Sequence, residues 1–167
     1  RAIFAPMHDA DAPFAPHDHA ACAAEAMEAA RAACAAAGLR LTETRARVLE
    51  ILLESHAALG AYEILDRLAA EGRRAAPPVA YRALEFLVAN GFAHRIEKLN
   101  AFVACSRPAA GAGEAPAFLI CRACRQVAET SAAPAAAALA PEAARLGFRP
   151  ERTVVEIEGL CPACAAP

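Results

Sequence analysis

The chain has 167 residues, a formal net charge of −2 and seven cysteines. Its 57% hydrophobic content misleads, because 50 of those residues are alanine, which forms helices readily but buries little apolar area. The balance of charge excludes a strongly basic nucleic-acid coat, the lack of Trp speaks against a large aromatic ligand box, and no run approaches the roughly 18 apolar residues of a membrane-spanning helix.

Residues 1–20 are rich in Ala, Pro, His and Asp, have no apolar periodicity, and read as a disordered leader. His8, His17, His19 and Asp18 carry metal-donor chemistry, but a mobile tail is the expected reading. No basic stretch followed by an apolar core opens the chain, so a cytoplasmic protein is expected rather than a secreted one. Residues 21–37 predict an Ala-rich helix stopped by Gly38. Thr42 offers an N-cap and Glu43 suits the positive helix end. Val48, Ile51 and Leu52 follow at helical spacing, predicting a second helix over 43–55. Ile64, Leu65 and Leu68 predict a third over 61–71, ended by Gly72. Pro77-Pro78 opens a fourth, with Leu84, Leu87 and Val88 on one side and Asn90-Gly91 at its end.

The period then changes. Phe92, His94 and Ile96 alternate with Ala93, Arg95 and Glu97, and after Leu99-Asn100 a second short run covers Phe102 to Cys105. Two such runs around a tight turn predict a hairpin. Short helices followed by a hairpin predict a winged helix-turn-helix over 21–105, with residues 78–89 as recognition helix. Residues 39–99 hold nine Lys/Arg and eight Asp/Glu, so a DNA-binding face must segregate its charges. Residues 106–115, rich in Pro, Gly and Ala, predict a linker. Beyond it, strands are expected at 117–120, 126–130 and 153–157. Residues 134–146 are helix-biased, and Pro141 either kinks that helix or starts it. The expected fold is α+β: a winged-helix domain followed by a small α/β domain over 116–167.

The cysteines carry the most specific chemistry. Cys121-Arg-Ala-Cys124 and Cys161-Pro-Ala-Cys164 are two CxxC pairs separated by 36 residues. Without export a disulfide framework is disfavoured. A two-residue spacer lets both sulfurs face one tetrahedral centre, and two such knuckles close a four-cysteine zinc site that staples a small domain. Oxidised pairs or a thioredoxin-like dithiol are the alternatives. Cys22 and Cys34 are expected to pack as small hydrophobes. His94 and Cys105, taken singly, also read as packing residues. On facing strands, with the Glu129 carboxylate near the knuckle, they would form a second metal site at a domain junction. No Ser/His/Asp order, Gly-rich phosphate loop or HExxH motif is present, so no enzyme is expected.

Taken together, these residues resemble the ferric uptake regulator (Fur) superfamily. The resemblance rests on Leu39-Arg-Leu-Thr42-Glu-Thr-Arg45, Ala61-Tyr62-Glu63-Ile64-Leu65, Pro77-Pro78-Val79-Ala80-Tyr81-Arg82-Ala83-Leu84-Glu85-Phe86-Leu87, Gly91 to Glu97 and the two CxxC pairs, and covers residues 22–164. Its zinc uptake regulator branch is the most similar, since no His-rich run precedes the first CxxC and Cys105 stands at the end of the wing. The resemblance implies a zinc-responsive repressor of zinc-uptake genes, a homodimer bound to double-stranded operator DNA with an AT-rich inverted repeat. It implies two zinc ions per protomer. The structural one falls on Cys121, Cys124, Cys161 and Cys164. The regulatory one falls on His94, Cys105, Glu129 and a residue before the first knuckle, where Glu114 replaces the family's usual histidine. Zinc at that interdomain site would set the angle between domains for operator binding. Tyr81 and Arg82 are the leading DNA contacts, with Tyr62 and Arg45 behind them, while the family's recognition-helix threonine gives way to Val79. The alternatives are a member of the family sensing another metal or peroxide, or a CxxC dithiol redox protein.

Overall fold

The computed structural model describes residue 14 and residues 18–72, 76–106 and 115–166. In chain order the N-terminal part holds α1 (His19–Ala36), α2 (Glu43–Leu52), β1 (Leu59–Gly60), α3 (Ala61–Ala70), α4 (Pro77–Ala89), β2 (Ala93–Ile96) and β3 (Ala101–Ala104). The C-terminal part holds β4 (Pro116–Cys121), β5 (Val127–Ser131), α5 (Ala133–Arg145), β6 (Val155–Gly159) and α6 (Pro162–Ala165).

Local chemistry sets the helix ends. The Asp18 carboxylate accepts the Ala21 N–H at 3.1 Å and caps α1, so that helix starts two residues earlier than its Ala-rich pattern predicts. Residues 18–20, expected in the leader, therefore belong to the first helical turn or its cap; residues 1–13 and 15–17 lie outside the described residues. Thr42 caps α2 as expected, accepting from Arg45 N–H at 3.5 Å. That helix ends at Leu52, three residues short of the expected limit. Pro77 suits the first turn of α4 because its missing N–H has no helical partner to lose.

The helices enclose one core. Met27, Val48, Leu49, Ile51, Leu52, Ile64, Leu68, Leu84 and Leu87 are buried together there, each such side chain contributing about 1.5–3 kcal/mol. The adjoining sheet has the antiparallel order β1-β3-β2, which completes the winged helix-turn-helix. The two-residue β1 was not predicted; Leu59 pairs with Phe102 and Gly60 with Ala101. The expected alternation along β2 holds except at Ala93. Phe92 and Ile96 are buried, His94 is half-buried, and Arg95 and Glu97 are exposed, while Ala93 is buried in the helical core.

That second sheet has the order β5-β4-β6, with β4–β5 antiparallel and β4–β6 parallel. A parallel pair requires a long crossover, which α5 supplies, running through Pro141 rather than starting there. α6, at the second CxxC, was not predicted.

A second core joins the two parts. Ala58, Ile96, Ala101 and Val103 pack against Phe118, Ile120 and Val127. Backbone bonds reinforce this seam. Ala57 bridges Gln126, Ala58 N–H donates to Arg125 C=O at 2.9 Å, and Val127 N–H donates to His56 C=O at 2.9 Å. At the wing tip the Glu156 carboxylate accepts the N–H groups of Glu97 at 2.7 Å and Lys98 at 3.0 Å. The expected linker lies mostly, at 107–114, outside the described residues. Among the described residues no helix is long and apolar enough to cross a membrane.

Candidate metal centres and nucleic-acid interface

Strand register brings the two CxxC pairs together. β4 and β6 run parallel with Cys121 opposite Gly159, and Arg122 N–H donates to Gly159 C=O at 2.9 Å. Cys161, two residues beyond Gly159, therefore lands beside the first knuckle. That knuckle is a tight turn: Arg125 N–H donates to Cys121 C=O at 2.9 Å, and Arg125 itself has φ +62°. Cys161 caps α6, placing Cys164 one turn later. The four sulfurs lie within 4.8 Å of one another, and Cys124 Sγ is 3.8 Å from Cys161 Sγ. That spacing matches the sulfur–sulfur edge of about 3.8 Å in a tetrahedron with 2.3 Å zinc–sulfur bonds.

Ionisation favours a cation at this cluster. Backbone N–H groups of Cys124 and Cys161 hold the Cys121 thiol down to about 6, against the opposing effect of burial. Cys164 is pushed up to about 12 by the neighbouring thiols of Cys161, Cys124 and Cys121. Four sulfurs this close give up their last protons only when a positive charge compensates them. None of the seven cysteines is disulfide-bonded. The convergence of both CxxC pairs on each other fits a shared metal better than a lone redox dithiol.

His94, Cys105 and Glu129 meet at the seam. His94 on β2 faces Val103 on β3, and Cys105 lies two residues further along the same strand face. Its N–H continues the ladder to Phe92 C=O at 3.0 Å. Glu129 stands on β5, opposite Phe118. The three donor atoms lie within 4.8 Å of one another. Glu129 uses its two oxygens differently. Oε2 accepts from Ser106 N–H at 3.1 Å and Ser106 O–H at 3.2 Å, while Oε1 is 3.2 Å from His94 Nε2 and 4.0 Å from Cys105 Sγ. His94 Nε2 is buried, and its contact with Oε1 lacks hydrogen-bond alignment, an arrangement that suits a ligand nitrogen. Burial raises the Glu129 carboxyl, but the His94 and Ser106 contacts outweigh it and hold the group below its ordinary value. An imidazole, a thiol and a carboxylate fit zinc. Glu114, the fourth candidate, lies outside the described residues.

Ser106 was missed by sequence reasoning because it sits in the expected linker, where a small polar residue carries no signal. His19, Cys22 and His56 also come together. Sequence reasoning placed His19 in a tail and Cys22 in packing, and did not single out His56.

The candidate DNA contacts divide into two kinds. Tyr81 and Arg82 are exposed on α4, and Tyr62 is exposed at the start of α3. Arg45 is half-buried; its guanidinium lies 3.7 Å from the centre of the Phe86 ring and donates to Arg40 C=O at 2.7 Å. Arg47, nearby, is taken up by Glu71 at 2.6 Å, Glu50 at 2.9 Å and Glu54 at 3.2 Å.

The C-terminal part presents apolar surface. No residue of α5 is buried, and Leu139, Leu146, Phe148 and Ile157 are exposed by half or more. These large apolar side chains are the candidates for an interaction face.

The sequence profile of the ferric uptake regulator family matches residues 36–158. The zinc uptake regulation protein of Escherichia coli (strain K12) is 36% identical over 143 residues, covering 84% of this chain and 81% of that protein. A structure described as a zinc uptake regulator complexed with zinc and DNA aligns with a TM-score of 0.78 at 35% identity, covering 85% of this chain and 94% of that one. Holo XcZur aligns at 0.74 with 41% identity, covering 84% of this chain and 97% of that one, whereas its apo form aligns at 0.50.

Proposed function

The chain belongs to the ferric uptake regulator family, and from that premise we infer that it is a zinc-responsive, DNA-binding transcriptional repressor and not an enzyme. The observation that carries this reading is the convergence of His94, Cys105 and Glu129 where the wing meets the second sheet. A thiol among the donors favours zinc over ferrous iron. Bound there, zinc would supply the charge that holds donors from both sheets in one geometry. His94 offers Nε2, Cys105 its thiolate, and Ser106 keeps Glu129 aimed at both. Glu114 is the proposed fourth donor. Cys121, Cys124, Cys161 and Cys164 are the proposed structural set, giving two zinc ions per protomer.

The regulatory consequence follows from where the donors sit. His94 and Cys105 belong to the wing hairpin that follows α4, while Glu129 belongs to the sheet beside the exposed apolar face. Closing these donors fixes α4 relative to that face, and in a homodimer it fixes the two α4 helices relative to each other. Two recognition helices at a set spacing suit an inverted repeat, here proposed to be AT-rich and to control zinc-uptake genes in the cytoplasm. Tyr81 and Arg82 are the proposed base or phosphate contacts, with Tyr62 and Arg45 beside them. The greater likeness to the holo than to the apo form of XcZur supports the described arrangement as the metal-bound one. The proposed boundaries are a DNA-binding domain over 21–105, a linker over 106–115 and a dimerisation domain over 116–167.

The test is a titration. Zinc is returned to protein stripped of its weaker site while the anisotropy of a labelled AT-rich inverted repeat is followed. Binding that tightens with the returning zinc is expected; equally tight binding without it overturns the reading.

A further inference from the structure

The helical packing of α1 is uneven. Its buried residues are Met27, Ala30 and Cys34, none of them before the ninth residue of the helix. The first two turns bury no residue, and only Ala23 and Ala26 there reach the core as partly buried neighbours. At that weakly packed end stands a cluster of metal-donor side chains distinct from the two sets above. His19 and Cys22 are three residues apart and share one helix face. His56, in the segment between α2 and β1, meets them, its ring centroid 4.7 Å from that of His19 at an interplanar angle of 63°. The donor atoms of His19, Cys22 and His56 all lie within 4.8 Å of one another, and all three residues are half-buried.

We propose that His19, Cys22 and His56 form a third metal site, of zinc class, that pins the first turns of α1 to the joint between the two parts of the chain. The donor set decides the ion. One thiol and two imidazoles suit zinc and disfavour magnesium, calcium or manganese, which prefer oxygen. Donor atoms around tetrahedral zinc stand about 3.3–3.8 Å apart, so closure requires side-chain movements of no more than about an ångström from the described positions. Three protein donors leave a fourth position for water, as in open zinc sites, and make this ion more exchangeable than one held by four thiolates.

The position of His56 gives the site its consequence. His56 C=O accepts Val127 N–H at 2.9 Å, Ala57 bridges Gln126, and Ala58 N–H donates to Arg125 C=O at 2.9 Å. Residues 56–58 are thus hydrogen-bonded to the turn that carries the first CxxC pair. A metal shared by His56 and α1 links the N-terminal helix to the same seam that His94, Cys105 and Glu129 span. Metal supply would then act on the joint at two places.

Zinc stoichiometry of the full chain tests this. A chromophoric chelator is competed against wild type, Cys22→Ser and His56→Ala. Each variant is expected to bind one zinc fewer than wild type while keeping the cobalt charge-transfer band of the four-cysteine set, which also reports that the fold is intact. In wild type, zinc is expected to slow alkylation of Cys22 severalfold, read by peptide mass mapping, and His56→Ala is expected to abolish that protection. Equal stoichiometry in all three proteins, or Cys22 alkylation indifferent to zinc, overturns the site and leaves His19 and His56 as an edge-to-face ring pair. Neither readout depends on DNA, so failure here is separable from failure of the repressor reading.

Discussion

His94 Nε2 on β2 lies 3.2 Å from Glu129 Oε1 on β5, so an imidazole from the wing meets a carboxylate from the second sheet. Glu129 can serve this contact because its other oxygen is already held by Ser106, at 3.1 Å from the N–H and 3.2 Å from the O–H. Ser106→Ala removes the hydroxyl and keeps the backbone donor. It is expected to weaken zinc at this site about tenfold, in line with the loss of outer-shell partners elsewhere. Glu129→Ala should weaken it further and remove zinc-dependent DNA binding. Chelator competition with the four-cysteine zinc retained makes the measurement; unchanged affinity in both variants would remove Glu129 from the site.

Acid should loosen the metal-free seam. Burial raises the Glu129 carboxyl, the His94 and Ser106 contacts lower it, and the net value in the folded chain lies below the ordinary one. A depressed carboxyl contributes stability above its unfolded value, about 4.3, and that contribution is lost as pH falls through the lower folded value. The melting temperature of metal-stripped protein is therefore expected to drop on acidification below about pH 4. Glu129→Gln should flatten this drop. An equally steep acid limb in Glu129→Gln would assign it to other carboxylates.

Two arginines of the DNA-binding part should behave differently. Arg82 is exposed on α4, and Arg82→Ala is expected to reduce the slope of log affinity against log salt by about 0.9, the share of one phosphate contact. Arg45 lies 3.7 Å from the Phe86 ring centre and bonds to Arg40 C=O. Arg45→Ala should therefore also lower the melting temperature, by the equivalent of about 0.5–1 kcal/mol from the cation–π contact. Anisotropy across a salt series, paired with thermal unfolding, separates the two. An Arg45→Ala protein as stable as wild type would leave that residue a DNA role alone.

The exposed apolar face predicts self-association. Leu139 is 63% and Ile157 53% exposed in the isolated chain. Leu139→Asp combined with Ile157→Asp is expected to shift sedimentation from dimer to monomer and to weaken operator binding, with the four-cysteine zinc retained. A dimer that survives both substitutions would place the interface elsewhere.

The local features were legible in the chain. Thr42, Gly38 and Pro77 mark helix ends because caps, glycine stops and first-turn prolines act within one turn. The CxxC spacing announces a metal knuckle because two residues suffice to aim two sulfurs at one centre. Asp18 was harder to read, since its N-cap role competes with the tail-like composition around it. The two-residue β1 carries too little pattern to announce itself, and the alternation in β2 misses only Ala93, which the helical core buries.

By itself the sequence determined helices α1 to α5, the hairpin, the two knuckles and the family resemblance, all of which rest on short-range propensity or on ordered motifs. Tertiary structure decided which distant groups meet. The parallel β4–β6 pairing carries Cys161 to Cys124 across 36 intervening residues. The shared core of Ile96, Val103, Phe118 and Val127 sets Glu129 against His94 and brings Ser106 to its carboxylate. The seam along 56–58 holds His56 where His19 and Cys22 reach it. Such meetings depend on sheet register and on burial between elements far apart in the chain, and neither quantity is written in the spacing of neighbouring residues.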